Sequence, residues 1–337
     1  MTGKFIDNLI LGIALLVFLF VIAIPMKVWD NEFPLGNGPY KEIIIKPNKS
    51  AVQIAQSLVK QNITTDAVAL AKWMEHFKID RTMRPGTYRI MRGTPWEVAR
   101  QFKRAKPLYF KVTIIPGSRI SDLRGNSNGS STEKSFKIAL SEKNNYPKQL
   151  RPFLPDSEKG REAFLLPETY YCPGTLPEYI IQQASALWEK KLGDIVGLPV
   201  ITKARLHDFA VIASLVEKEA MLDNERPIIS GVIYNRLESG MPLQIDASVI
   251  YAWKLKNRDI KRVTYNDLKI DSPFNTYKYK GLPPEPICIP SLASWKAAVK
   301  PQKSTYLYYV AKRDGSHGFS SKYKDHLKMI ETIRKGN

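Results

Sequence analysis

Phe209-Ala-Val-Ile-Ala-Ser-Leu-Val-Glu-Lys-Glu-Ala220 is an apolar run that ends in two glutamates. Its spacing predicts a helix over Asp208–Met221, with the glutamates near its end. Residues two apart lie about 200° apart around a helix, so Glu217 and Glu219 point in different directions. Glu219 has Ile212, Leu215 and Val216 on the turns behind it, whereas Glu217 has Ala213 and Ser214. A carboxyl held against large apolar groups keeps its proton near neutral pH, as a general acid must. Glu219 is therefore the expected acid and Glu217 a supporting residue. The plainer alternative is a pair of ordinary surface glutamates on an amphipathic helix.

Downstream residues supply groups that such an acid would need. A second helix is expected from Pro227 to Glu238, closed by Gly240 as a C-cap, with Tyr234, Asn235 and Arg236 near its end. Gln244 and Asp246 stand two apart, which on an extended strand places them on one face. Asn275, Thr276 and Tyr277 precede the rigid stretch Gly281-Leu-Pro-Pro284. Amides, phenols and hydroxyls in this density suit a sugar. The local alternative has Asn235 and Asn275 capping helices and Asp246 serving a turn. The Gly-x-Ser-x-Gly match at Gly125–Gly129 falls in a polar loop rather than on the strand-to-helix turn that an elbow needs, and no P-loop or dinucleotide-binding glycine pattern occurs. Cys172 and Cys288 could form one disulfide, and neither has a neighbour at metal-ligand spacing. His76, His207, His317 and His326 are dispersed, so neither metal nor cofactor is expected.

Leu9 to Met26 holds eighteen residues without a charge. As a helix it would be about 27 Å long, close to a bilayer's hydrocarbon thickness. The run exceeds a usual signal-peptide core and lacks a small-x-small cleavage site, so a membrane anchor is expected. Fifty-one basic and 32 acidic side chains give a net charge of +19. The basic residues are scattered, with no zinc-finger spacing or long basic helix, which argues against a nucleic-acid partner. Anionic lipid or a polyanionic wall suits this charge better.

Between the anchor and the glutamate helix, a strand–turn–helix order recurs. Glu42–Pro47 leads into Ala51–Val59, Gly86–Ile90 into Trp96–Phe102, and Lys111–Gly117 into Arg119–Leu123, with a further helix at Thr65–Phe77. Thr94 before Pro95 makes a sound helix start. Small units of this kind pack as α+β modules. The polar loop Gly125–Thr132 is the expected boundary. The expected organisation is thus a short tail and anchor over 1–30, an α+β region over 38–125, and a mixed α+β catalytic domain over 126–337.

The chain resembles the endolytic murein transglycosylase family, the YceG-like proteins of bacteria. The likeness is carried by Ala213-Ser-Leu-Val-Glu-Lys-Glu219, Glu225-Arg-Pro227, Gly231-Val-Ile-Tyr-Asn-Arg-Leu237, Gly240-Met-Pro-Leu-Gln244 with Asp246, Phe274-Asn-Thr-Tyr277, Gly281-Leu-Pro-Pro284 and Leu307-Tyr-Tyr-Val310. Leu166-Pro-Glu-Thr-Tyr170 and Pro85-Gly-Thr-Tyr88 extend it toward the N-terminus. The resemblance implies a single-pass inner-membrane protein with LysM-like modules and a periplasmic catalytic domain. It implies a lyase that cuts the MurNAc–GlcNAc bonds of nascent glycan strands, leaves 1,6-anhydro ends and works beside cell-wall synthases. It places the catalytic role on Glu219. Ala220 stands where the family has threonine, and Ile245 and Ala247 flank Asp246 where threonine and proline are common. Two alternatives stay open: a muramidase in which Asp246 activates water, and a non-catalytic wall-binding scaffold.

Overall fold

In the computed structural model the chain divides into two units, one ending at Leu108 and the other running from Tyr109 to the C-terminus. The structure describes residues 36–46, 49–122, 133–173 and 177–335. Strand β1 (Asn37–Ile45) of the first unit is followed by helices α1 (Ala51–Lys60) and α2 (Ala67–His76), strand β2 (Gly86–Arg92) and helix α3 (Pro95–Arg104). Ser50 and Thr94 start α1 and α3 with complete capping boxes, closed by Gln53 and Glu97. β1 and β2 pair antiparallel, Lys41 opposite Ile90 and Ile45 opposite Gly86. Ile43, Ile45, Tyr88 and Ile90 from the sheet meet Leu58, Leu70, Met74 and Phe102 from the helices in one core.

This arrangement corrects the reading of tandem LysM-like modules. Strands β1 and β2, read as starts of separate repeats, form a single sheet around the intervening helices. Strand β3 (Tyr109–Thr113), read as the start of a third copy, pairs with β4 (Thr169–Pro173) in the second unit. A half-exposed strand satisfies its ladder only beside another strand, and local sequence does not say which. What stands among the described residues is a mixed α+β fold, mostly helical, without a clear LysM module.

The membrane reading is corrected as well. Leu9–Met26 lies outside the described residues, and among those described no helix is long and apolar enough to cross a membrane. After helix α4 (Glu133–Ser141), the twenty-residue helix α5 (Pro177–Val196) carries Glu178, Glu189, Lys190, Lys191 and Asp194 on its outer side and buries Ile181, Trp188 and Leu192. That is the pattern of a core helix in an α+β domain. The described residues thus give no support to a membrane-spanning element, a membrane partner or single-pass inner-membrane placement.

The second unit is built around α6 (Lys203–Glu219), which is buried without interruption from Phe209 to Val216. An apolar stretch this continuous has to be covered from several sides. Helices α7 (Arg226–Glu238), α8 (Asp246–Leu255) and α9 (Leu292–Val299) pack against it. Trp188, Phe164 and Trp295 form an aromatic cluster with ring centroids 5.1–5.6 Å apart, and the Trp295 indole N–H donates to Ala163 O. The unit ends with the hairpin β5 (Tyr308–Ala311) and β6 (His317–Ser320) and helix α10 (Tyr323–Lys335).

Gly231 explains how that hairpin is placed. A Cβ at position 231 would lie 2.3 Å from the carbonyl oxygen of Gln302, so only glycine lets the segment after α9 lie directly on α7. One turn on, Asn235 Nδ2 donates to Ser304 O and Tyr306 O, each at 2.9 Å, and Arg236 Nε donates to Leu307 O at 2.7 Å. Gly231→Ala forces this backbone off the helix. Its expected cost is about 1–3 kcal/mol, the usual range for overpacking. Denaturant unfolding should show it as a lower midpoint at unchanged slope.

Candidate active site

Helix α6 stops at Glu219 because Ala220 turns extended, with φ −82° and ψ 123°. Glu219 is thus the last helical residue, half-buried, with its backbone among unsatisfied carbonyls. Its carboxyl pKa is raised, first because burial penalises the anion and then because the Asp246 carboxylate repels it. The partial negative charge at a helix C-terminus acts in the same direction. The Tyr309 hydroxyl opposes these effects: it donates to Glu219 Oε2 at 2.8 Å and favours the ionised form. His317 and Arg236 pull the same way by charge. Glu219 therefore combines a carboxyl that holds its proton more tightly than an exposed one with a fixed orientation and access to solvent.

Glu217 has a different setting. Its side chain is only 6% exposed, so the expectation that small neighbours would leave it solvated does not hold. Elements distant in sequence cover it and satisfy it. Arg226 Nη1 lies 3.2 Å from Oε2, which also accepts from Ser291 N at 2.9 Å and Ser294 Oγ at 2.7 Å. This carboxylate ties α6 to the starts of α7 and α9.

The downstream residues separate into two sets. Tyr234, Asn235, Arg236, Asn275 and Thr276 spend their polar atoms on the protein itself. Tyr234 donates to Ala298 O, and Asn275 Nδ2 donates to Leu268 O and Ile270 O. Arg236 Nη1 donates to Leu243 O at 2.6 Å, and Thr276 Oγ1 receives the N–H of Ile245 at 2.9 Å. They fix the loop before α8 and the strand that carries Tyr309. Asn235 and Asn275 hold loops rather than the helix caps considered from sequence.

Gln244, Asp246 and Tyr277 form the second set. Gln244 and Asp246 are exposed, and Tyr277 is half-buried. The segment is not the extended strand read from the sequence. Gln244 takes a left-handed φ of 53°, and Asp246 opens α8, where a carboxylate is favourable. Tyr277 OH donates to Asp246 Oδ1 at 2.5 Å. The Tyr277 phenol is pushed up by burial first and then by Asp246, so it stays a donor across the physiological range.

Sequence reading singled out neither Tyr309 as a site residue nor the pair behind it. His317 Nδ1 lies 2.7 Å from Glu225 Oε2, with both side chains under 10% exposed. The backbone N–H of His317 donates to the other oxygen of Glu225 at 2.8 Å. The His317 ring meets that of Tyr309 edge-on, with centroids 5.6 Å apart. Glu225 follows α6 by a single turn, so it braces the hairpin from the same end of the helix that presents Glu219. The adjacent tyrosines of Leu307-Tyr-Tyr-Val310 were the one available signal, since alternate strand residues face opposite sides. Cys288 is a free, buried thiol, raised by burial to about 12, and it takes no part in this cluster.

Comparison with known proteins gives concordant results. The family model described as the YceG-like family matches residues 43–332. An endolytic murein transglycosylase of Bacillus subtilis (strain 168) is 30% identical over 300 residues, 85% of this chain and 82% of that protein. One from Streptococcus pneumoniae serotype 2 (strain D39) is 27% identical over 90% of this chain, which spans 60% of that longer protein. Among solved structures, a yceG-like protein of Listeria monocytogenes superposes with a TM-score of 0.55 at 25% identity, covering 87% of this chain and all of that one.

Proposed function

The chain belongs to the YceG-like family, and from that premise we propose that it is an endolytic murein transglycosylase with Glu219 as its acid and base. The observation that carries this reading is the half-buried carboxyl of Glu219, its pKa raised by burial and its position set by the Tyr309 hydroxyl. In the first step Glu219 gives its proton to the oxygen between N-acetylmuramic acid and N-acetylglucosamine. The C1–O bond breaks with both electrons on that oxygen, and positive charge spreads over C1 and the ring oxygen. Asp246, held by Tyr277, is suited to stabilise this charge. In the second step the C6 hydroxyl of the same muramoyl residue attacks C1, and its proton returns to Glu219. The products are a 1,6-anhydro end and a free 4-hydroxyl, so no water is consumed. Cutting within growing strands would set their length.

Because the substrate supplies the nucleophile, one carboxylic acid suffices. Glycosidases that use water or a covalent intermediate pair it with a second carboxylate. A muramidase with Asp246 as base is the second reading, and it is favoured only by the nearness in charge of Asp246 to Glu219. Mass spectrometry of glycan fragments released from purified peptidoglycan separates the two. Transglycosylation predicts ends one water lighter than hydrolysed ends. Hydrolysed ends alone would establish the muramidase, and no new ends would remove the enzymatic reading altogether.

A further inference from the structure

We propose that a separate pocket of the larger unit binds the peptide stems of peptidoglycan, an inference that rests on the reading above and specifies its substrate. The pocket has a volume of about 520 Å³, within the range that small polar ligands occupy. Its floor is a closed polar scaffold. Arg119 Nε lies 2.7 Å from Glu162 Oε2, with both side chains under 10% exposed, and Arg119 Nη1 donates to Tyr251 OH at 2.9 Å and Pro286 O at 3.1 Å. These groups are satisfied by one another, so they shape the pocket and leave recognition to its rim.

Lys159, Lys254 and Arg258 stand exposed on that rim. Lys254 and Arg258 have exposed faces while paired with Asp122 at 2.7 Å and Asp267 at 3.2 Å. Lys159 has no carboxylate partner among the described residues. The lining as a whole holds five lysine or arginine and three acidic side chains. A uniformly anionic polymer would meet those three carboxylates at a cost. A short peptide with several carboxylates and an amine can match both signs.

Position connects this pocket to the cleavage site. Tyr251 and Lys254 lie on α8, whose first residue is Asp246 beside Glu219. Along α8, Asp246, Ile250, Trp253 and Lys254 are all at least partly exposed and fall at i, i+4, i+7 and i+8, so they form one continuous stripe. Eight helical residues rise about 12 Å. An extended peptide covers about 3.3–3.6 Å per residue, so a stem of about four residues reaches from a sugar at Glu219 to the rim.

The test titrates the full chain with a synthetic tetrapeptide, alanyl-γ-glutamyl-lysyl-alanine with a free C-terminus, and with inorganic phosphate as a competitor. Saturable binding is expected, weakened at least tenfold by Lys159→Glu with Lys254→Glu and unchanged by Lys190→Glu on α5. The bound peptide should also protect Lys159 and Lys254 of the unaltered chain from acetylation, a readout that does not depend on how the variants fold. Cleavage should then separate by substrate: the double variant should lose at least fivefold more kcat/KM on strands with stems than on strands stripped of them. No binding, no protection, equal losses on the two substrates, or complete displacement by equimolar phosphate would each overturn the proposal. Failure of the unaltered protein to cut either kind of strand would instead overturn the transglycosylase reading, while the binding and protection results still judge the pocket.

Discussion

Glu219→Gln is expected to lower cleavage of glycan strands by roughly 10³-fold, within the range for loss of a general acid–base, while leaving the fold and its unfolding midpoint nearly unchanged. Glutamine keeps the shape of the side chain and can still accept the Tyr309 hydroxyl bond, but it cannot donate a proton to a leaving oxygen. Glu217→Gln should behave in the opposite way. It removes the charge that faces Arg226 in a setting 6–10% exposed, and breaking a buried pair from one side costs about 3–5 kcal/mol. Its damage should therefore appear as a lowered unfolding midpoint, with kcat retained in whatever protein stays folded. Circular dichroism melts and release of soluble fragments from purified peptidoglycan, run on both variants, distinguish the outcomes. If Glu217→Gln abolished cleavage in a stable protein and Glu219→Gln did not, the roles assigned to the two carboxylates would be reversed.

The apolar surroundings of Glu219 were legible in the sequence because the relevant pattern is local. Ile212, Leu215 and Val216 lie within two helical turns of it, and all three are buried as that pattern requires. The helix runs from Lys203 to Glu219 rather than from Asp208 to Met221, and its earlier stop is what puts the acid at the helix end. Gly240, expected to close the next helix, does take a left-handed φ of 64°. Features set by distant partners were not legible. Glu217 looked solvated because Arg226, Ser291 and Ser294 reach it from other elements. The segment after Gly240 looked extended because Gln244 and Asp246 alternate with apolar residues, yet Val249 and Ala252 bury one face of a helix. Tyr309 is ninety residues from the carboxyl it contacts. Gly231, Asn235 and Arg236 bring it there, and they do so through backbone contacts that no motif displays. Residues chosen from the sequence as sugar-binding candidates thus mostly build the site, and three of them, Gln244, Asp246 and Tyr277, are left to face solvent at it.

Tyr309→Phe and Asp246→Asn should move the pH profile in opposite directions. The acid step requires protonated Glu219, so kcat/KM should fall as pH rises through the pKa of that group. The Tyr309 hydroxyl stabilises the carboxylate, and its removal raises the Glu219 pKa further, which carries the alkaline fall to higher pH. The Asp246 charge destabilises the carboxylate, and its neutralisation lowers the Glu219 pKa, which carries the fall to lower pH. Both variants should also lose rate at the optimum. Tyr309→Phe frees the carboxyl from the hydroxyl that orients it, and misplacement of a reacting group by about 1 Å can cost 10²-fold. Asp246→Asn removes the carboxylate proposed to meet the developing oxocarbenium, yet it leaves the acid in place. Kinetics with strands of uniform length across a pH series would measure both limbs. A muramidase predicts a different result for Asp246→Asn: loss of its base removes turnover at every pH. A shared direction of shift would mean that the two side chains act through packing. Opposite shifts, with residual turnover in both variants, would place one proton-bearing carboxyl between a hydroxyl that draws its charge out and a carboxylate that holds it back.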